Sequence, residues 1–192
     1  MSQEIRVLGI GGSLGKGSTS LAALKITLEA VKSAGTEVEL IDLQTFRVPM
    51  YEPSLPEKDL GPEAKDLLEK VRAADGMIWS SPGYHGTISG AMKNLLDYLE
   101  YLSVDTPSYL TNKIIGVVST GAGTIATVNT VNTLADIAHA LRAWVCPLMI
   151  PIPQAWQIFD QQGRISDAKI DERLQMLGKE VVGFMKRQQE RT

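Results

Sequence analysis

Five strand-like segments alternating with five helix-like ones along 192 residues predict an α/β fold: a three-layer α/β/α sandwich on a five-stranded parallel sheet. The strand-like segments are short continuous apolar runs, the pattern of strands covered by helices on both faces. The length suits a single domain, residues 1–192, because a second core would be short of apolar side chains.

Ile5 to Ile10 is the first apolar run. Thr19 to Ala34 follows as a helix whose Leu21, Leu24, Leu28 and Val31 fall on one face. Val38 to Leu43 makes a second strand. The stretch Phe46 to Pro62 holds Pro49, Pro53, Pro56 and Pro62, so neither a central strand nor a helix interior is open to it. It reads as a long surface loop, with Met50 and Tyr51 as rim residues. Glu63 to Ala73 is helical and Met77 to Trp79 is the third strand. The helix Ser89 to Tyr101, with Leu102 just beyond, carries Leu95, Leu96, Tyr98, Leu99 and Tyr101. That is more apolar surface than one face needs, and a partner subunit is expected to cover the excess. Ile114 to Val118 is the fourth strand and Thr127 to Leu141 a helix in which His139 is a structural residue. Trp144 to Ile152 is the fifth strand, with Cys146 read as a small buried hydrophobe. Asp167 to Arg187 is the last helix, and the basic residues at its end, Lys186, Arg187 and Arg191, read as a solvated face.

Hydrophobic residues are 44% and charged residues 21%, near the globular average, which excludes a disordered or fibrous chain. A formal net charge of −3 lacks the basic surface that nucleic-acid binding requires. The N-terminus passes from Met1 through Gln3 and Glu4 into a short apolar run without the basic region and apolar core of a secretion signal. No stretch approaches the ~20 apolar residues of a membrane span. The single cysteine allows no intrachain disulfide, and a cytoplasmic location is expected.

In an open parallel sheet, ligands bind beyond the carboxyl ends of the strands. Three Gly-rich loops fall there: Gly11-Gly12-Ser13-Leu14-Gly15-Lys16-Gly17-Ser18-Thr19-Ser20, then Ser81-Pro82-Gly83-Tyr84-His85-Gly86-Thr87, then Ser119-Thr120-Gly121-Ala122-Gly123-Thr124. In the first, the glycines let amides point inward, while Ser13, Ser18, Thr19 and Ser20 supply hydroxyls. The loop opens a helix whose free amides and dipole favour phosphate without a bound metal, and no metal site is expected. It is not a P-loop, because Ser18 stands where the lysine after Gly17 would have to be. A dinucleotide fingerprint begun at Gly9-Ile10-Gly11 loses its third glycine to Leu14, although Asp42 matches the ribose-binding acid. The many hydroxyls favour the dianionic phosphate monoester of FMN over a bridging pyrophosphate. Pro82, Gly83 and Gly86 let backbone approach a ring edge, and Tyr84 and His85 supply planar surface.

These residues resemble the NADPH-dependent FMN reductase family, a flavodoxin-like group that includes quinone and chromate reductases and azoreductase-like members. The likeness runs along nearly the whole chain. The family's first loop, Gly-Ser-Leu-Arg-x-x-Ser, is matched by Gly12, Ser13, Leu14 and Ser18. Its second, Pro-Glu-Tyr-Asn-Gly-Ser-x-Pro-Gly-x-Leu-Lys-Asn, is matched by Pro82, Tyr84, Gly86, Gly90, Lys93 and Asn94. The resemblance implies sheet order 2-1-3-4-5 and non-covalent FMN, with its phosphate on Ser13, Ser18 and Ser20 and its ring lined by Pro82, Gly83, Tyr84, His85 and Gly86. The loop carrying Ser119, Thr120, Gly121 and Gly123 would close the far side, and Thr19 belongs to the phosphate loop. A homodimer or homotetramer with flavin near the interface is also implied. Gly15 replaces the family's arginine, leaving Lys16 as the nearby cation, and Gly83 and His85 stand in for Glu and Asn.

The activity implied is that of an NAD(P)H-dependent oxidoreductase. Hydride passes from NAD(P)H to flavin N5 and electrons go on, in ping-pong order, to quinones, azo compounds, metal oxyanions or free flavin. The flavin carries the chemistry, so no catalytic side chain is required. His85 is a candidate proton donor, packing on the ring being its plainer role. Two rivals are a non-enzymatic flavodoxin-like electron carrier, against which the modest charge argues, and a flavin-free NAD(P)-binding Rossmann protein.

Overall fold

The structure, a computed structural model, describes residues 4–190. Its sheet is wholly parallel. β1 (Arg6–Gly11) lies between β2 (Glu37–Asp42) and β3 (Gly76–Pro82), and β4 (Ile114–Gly121) follows β3. The fifth position is shared by two short strands, β5 (Trp144–Val145) and β6 (Ile150–Pro153), both paired with β4. The order 2-1-3-4-5 therefore holds, but the expected strand Trp144 to Ile152 is interrupted. The Cys146 amide still donates to the Ile115 carbonyl at 2.9 Å, whereas Pro147 has no amide to give and regular pairing resumes only at Ile150. Pro151 and Pro153 are tolerated because β6 is an edge strand. β2 forms the other edge, and its Glu37, Glu39 and Leu40 are exposed, so it is not covered on both faces as its apolar run suggested.

The helices are α1 (Thr19–Ser33), α2 (Pro62–Ala73), α3 (Gly90–Asp97), α4 (Thr124–Ala140), a short α5 (Ala155–Ile158) and α6 (Ala168–Gln189). On one face Leu24 and Leu28 of α1 and Leu174, Leu177 and Val181 of α6 pack with Val7, Ile78 and Val118. On the other, Leu67 and Leu68 of α2, Leu95 of α3 and Leu134 of α4 pack with Leu8, Met77, Trp79 and Val117. Proline at the first position of α2 leaves no helical bond unmade there.

α3 tightens into a 3-10 helix over Tyr98–Val104 instead of continuing as α-helix to Tyr101. Leu95, Leu96, Tyr98, Leu99 and Leu102, expected to need a partner, are all buried in the chain's own core. The loop of residues 46–61, which includes a 3-10 turn at Glu57–Asp59, folds over them. Tyr51 meets Tyr98 edge-on at 5.4 Å and Tyr101 at 5.8 Å, and the Tyr101 hydroxyl donates to the Leu55 carbonyl. Arg72 fastens the far end of this loop, forking onto Glu57 at 2.8 and 3.1 Å and onto Asp105 at 2.8 and 3.2 Å. The apolar excess is covered internally and gives no reason of its own to invoke a second subunit.

His139 is exposed in the last turn of α4, not packed inside it. Lys186 does more than face solvent, since its Nζ donates to the Ala34 carbonyl just beyond α1 at 3.0 Å, and Arg191 lies outside the described residues. No helix among the described residues is long and apolar enough to cross a membrane.

α1 and α6 approach closely at Gly178, where a Cβ would stand 2.6 Å from the carbonyl oxygen of Thr27. Alanine ordinarily outranks glycine in a helix by up to ~1 kcal/mol, but here the clash with backbone reverses the sign. Gly178→Ala should lower stability by roughly 1–3 kcal/mol, read as a fall in Tm, and a higher Tm would contradict this account of the α1–α6 contact.

Candidate active site at the carboxyl edge of the sheet

The three Gly-rich loops meet at one edge and are bonded to one another. After β1, the Gly12 amide donates to the Ser80 carbonyl at 2.8 Å. A Cβ on Gly12 would lie 2.8 Å from Met92 Cβ, so only glycine lets this loop sit against α3. Ser13 is buried, and its Oγ accepts from the Gly15 amide at 3.2 Å. Gly17, in the left-handed region at φ 67, turns the chain into α1. Ser18 caps that helix, accepting from the Leu21 amide at 3.2 Å, and its Oγ is 2.9 Å from Ser20 Oγ. The amides of Lys16, Gly17, Thr19 and Ser20 make no hydrogen bond among the described residues, and those of Thr19 and Ser20, in the first turn of α1, form part of the positive end of the helix dipole.

Other candidates from this loop divide by burial. Ser20 is fully buried, and its carbonyl accepts from Ser80 Oγ at 2.8 Å. Thr19 Oγ1 donates to Thr120 Oγ1 at 2.9 Å, tying the first loop to the one after β4. Lys16 is exposed.

After β3, the Gly83 amide donates to the Thr120 carbonyl at 2.8 Å. Tyr84 and Thr87 exchange backbone bonds at 2.9 and 3.1 Å around His85 and Gly86, both left-handed at φ 50 and 88, the signature of a type I′ turn. Pro82 is buried, whereas Tyr84 and His85 are exposed. Ser89 then caps α3: its Oγ accepts from the Met92 amide at 3.0 Å and donates to the Gly12 carbonyl, while its amide donates to Ser81 Oγ at 3.0 Å. After β4, Ser119 and Thr120 are buried, and Ser119 Oγ has no partner among the described residues. A Cβ on Gly121 would come within 3.1 Å of Thr127 Cγ2, and Gly123 leads into α4 without a side-chain cap.

Two parts of the edge were not read from sequence as site. The segment after β6 begins at Gln154, whose amide donates to the Ala122 carbonyl at 3.3 Å, carries exposed Trp156 and returns to α1, where a Cβ on Gly163 would be 3.2 Å from Ala22 Cβ. The Pro-Gln-Ala-Trp run directly after a strand was the available signal. Asn94, the last residue of the second-loop motif, donates from Nδ2 to the Pro49 carbonyl and accepts at Oδ1 from the Tyr51 amide, both at 2.8 Å. This leaves Met50 exposed on the rim and turns Tyr51 inward. Burial pushes the Tyr51, Tyr98 and Tyr101 hydroxyls above the usual phenol value.

With this geometry in place, comparison with known proteins defines the class. The family model for NADPH-dependent FMN reductase matches residues 5–157, and the chain belongs to that family. It is 32% identical over 178 residues to an NAD(P)H-dependent FMN reductase of Pseudomonas aeruginosa, covering 91% of this chain and 92% of that one. An FMN-dependent NADPH-azoreductase of Staphylococcus aureus is 27% identical over 183 residues, covering 92% of each. Among solved structures, the flavoenzyme NAD(P)H:(acceptor) oxidoreductase FerB of Paracoccus denitrificans superposes with a TM-score of 0.77 at 19% identity, covering 95% of this chain and 98% of that one. An archaeal flavodoxin superposes at 0.66 with 11% identity, covering 95% and 99%, and both likenesses confirm the fold. The protein is thus a flavodoxin-like, FMN-dependent oxidoreductase that draws electrons from NAD(P)H.

Cys146 stands apart from this edge, buried in the break between β5 and β6 with Sγ 3.3 Å from Glu180 Oε2. Burial, reinforced by the Glu180 carboxylate, pushes its thiol up to about 11, so almost no thiolate exists at pH 8. A disulfide reagent at pH 8 should label Cys146 only after denaturant is added, and prompt labelling of the folded protein would contradict its burial.

Proposed function

We propose that the three loops form one FMN site, that donor and acceptor take turns on its open side in ping-pong order, and that the acceptors are small oxidised molecules such as quinones, azo compounds, metal oxyanions or free flavin. The observation that carries this reading is the head of α1, where the Thr19 and Ser20 amides are unpaired at the positive end of the helix dipole, the Ser18 hydroxyl caps the helix, and Lys16 and Gly17 just before it also leave their amides unpaired. A phosphate dianion would satisfy that donor set, so the residues present fit FMN. When bound, FMN supplies the redox centre through which the family's electrons pass.

The side chains take distinct roles. Ser13 Oγ accepts from within its own loop and keeps its proton for a ligand. Ser18 Oγ accepts from the Leu21 amide and shares a hydrogen bond with Ser20 Oγ at 2.9 Å, in which either hydroxyl can donate. Ser20, fully buried, orients Ser18 instead of touching the ligand, and Thr19 holds Thr120 in the same way. Lys16, exposed beside the loop, supplies countercharge. Gly83 and Gly121, whose missing side chains let the two loops pack against α4, line the ring with backbone, Tyr84 offers a flat face, and the solvent-facing His85 delivers a proton to a reduced acceptor. The exposed apolar side chains Tyr84 and Ile125 support a homodimer or homotetramer closing over this edge, in a cytoplasmic, single-domain enzyme.

FMN titration followed by fluorescence quenching tests the phosphate assignment. Ser18→Ala should weaken FMN binding about tenfold or more, the worth of a charge-assisted hydrogen bond, and Ser20→Ala should weaken it less. Wild-type protein that leaves FMN fluorescence unquenched, or that binds FMN but does not oxidise NAD(P)H, would refute the reading.

A further inference from the structure

An open cleft lies on the α3 side of the first loop, between Leu14 and residues 43–50, with the first turn of α3 as its floor. Leu14, Phe46, Val48 and Met50 make it apolar, and Leu14 and Met50 are 50% and 80% exposed. Its outer wall is fixed in place. Both ends of the Asn94 carboxamide are engaged with the backbone of Pro49 and Tyr51, and the Tyr98 hydroxyl adds a third bond to the Pro49 carbonyl at 3.2 Å. Asn94 thus lines the cleft with its carboxamide held in place by the wall it supports.

The remaining polar side chain of the lining is Arg47. It is exposed and has no hydrogen bond or ion pair among the described residues, and no carboxylate lines the cleft. Elsewhere the guanidinium groups of Arg6, Arg72 and Arg164 are matched to carboxylates within 3 Å. An unpaired guanidinium at the mouth of a preformed apolar slot is suited to a flat molecule with an acidic substituent, because its planar fork of donors matches a sulfonate or carboxylate.

We infer that this cleft receives anionic aromatic acceptors, the ring lying against Leu14, Phe46 and Met50 and the acid meeting Arg47, so that Arg47 sets the preference for anionic over neutral acceptors. The inference deepens the proposed reductase reading and rests on it. The reaction concerned is NAD(P)H plus a proton plus a quinone giving NAD(P)⁺ and the hydroquinone, with Arg47 holding the substituent and taking no part in electron transfer.

The test uses FMN-loaded enzyme with a naphthoquinone sulfonate and with the unsubstituted naphthoquinone. Arg47→Ala should lower kcat/KM for the sulfonate about tenfold and leave the neutral quinone unchanged, and Arg47→Glu should lower the sulfonate value further. Equal losses on both quinones, or no loss, overturn the inference. A second measurement does not depend on turnover: naphthalenesulfonate, which cannot be reduced here, should bind wild type about tenfold more tightly than Arg47→Ala in calorimetry. Equal affinities overturn the inference. If wild type reduces neither quinone the reductase reading fails, and the calorimetric comparison still decides the role of Arg47.

Discussion

A buried hydroxyl network between segments far apart in sequence holds the functional edge together. Ser80 donates to the Ser20 carbonyl, Ser89 to the Gly12 carbonyl, and Ser81 accepts from the Ser89 amide. These side chains are shut away from water, so losing any one partner strands a buried polar group at a cost of ~1–3 kcal/mol. Backbone bonds from Gly12 to Ser80 and from Gly83 to Thr120 run in parallel with them. The strands, the head of α1 and the cap of α3 are therefore one unit. The unpaired amides at α1 are held in place before any ligand arrives, which is the condition under which such donors are most effective.

The Tyr84–Thr87 turn shows what that rigidity supports. A non-glycine residue in the left-handed region costs about 1–3 kcal/mol unless its surroundings enforce it, and His85 sits there at φ 50. The enforcing contacts are the paired backbone bonds of the turn and the anchored residues at its two ends, Gly83 on Thr120 and Ser89 on Gly12. The strain is local and serves to keep Tyr84 and His85 outward at the tip of the second loop.

Most of the frame was legible in the sequence, because continuous apolar runs and helical spacing report burial directly. What escaped did so for identifiable reasons. Pro147 interrupts the fifth strand, an effect of one missing amide that an apolar run conceals. The leucines of the α3 segment looked like an interface because the loop that buries them has no period of its own, and its proline spacing gave no sign that Tyr51 would fold back onto Tyr98 and Tyr101. In the first loop the residue types were readable but not their bonding: Ser13 accepts from the Gly15 amide, Ser18 and Ser20 pair with each other, and Thr19 bonds to Thr120. That bonding depends on the helical turn between residues 18 and 20 and on the distant partners Ser80 and Thr120.

FMN and NAD(P)H are anions, and a chain of net charge −3 would repel them if net charge governed the encounter. At physiological ionic strength, however, charges more than ~8 Å apart are largely screened, so the local field at the edge decides. Five basic residues elsewhere are paired with carboxylates, Arg6 with Glu37, Lys70 with Glu39 and Asp66, Arg72 with Glu57 and Asp105, Lys93 with Asp97 and Arg164 with Asp160. Lys16 and Arg47, on the first loop and on the wall facing it, have no such partner among the described residues. The positive end of α1 adds to their field at the carboxyl edge, whatever the net charge of the chain.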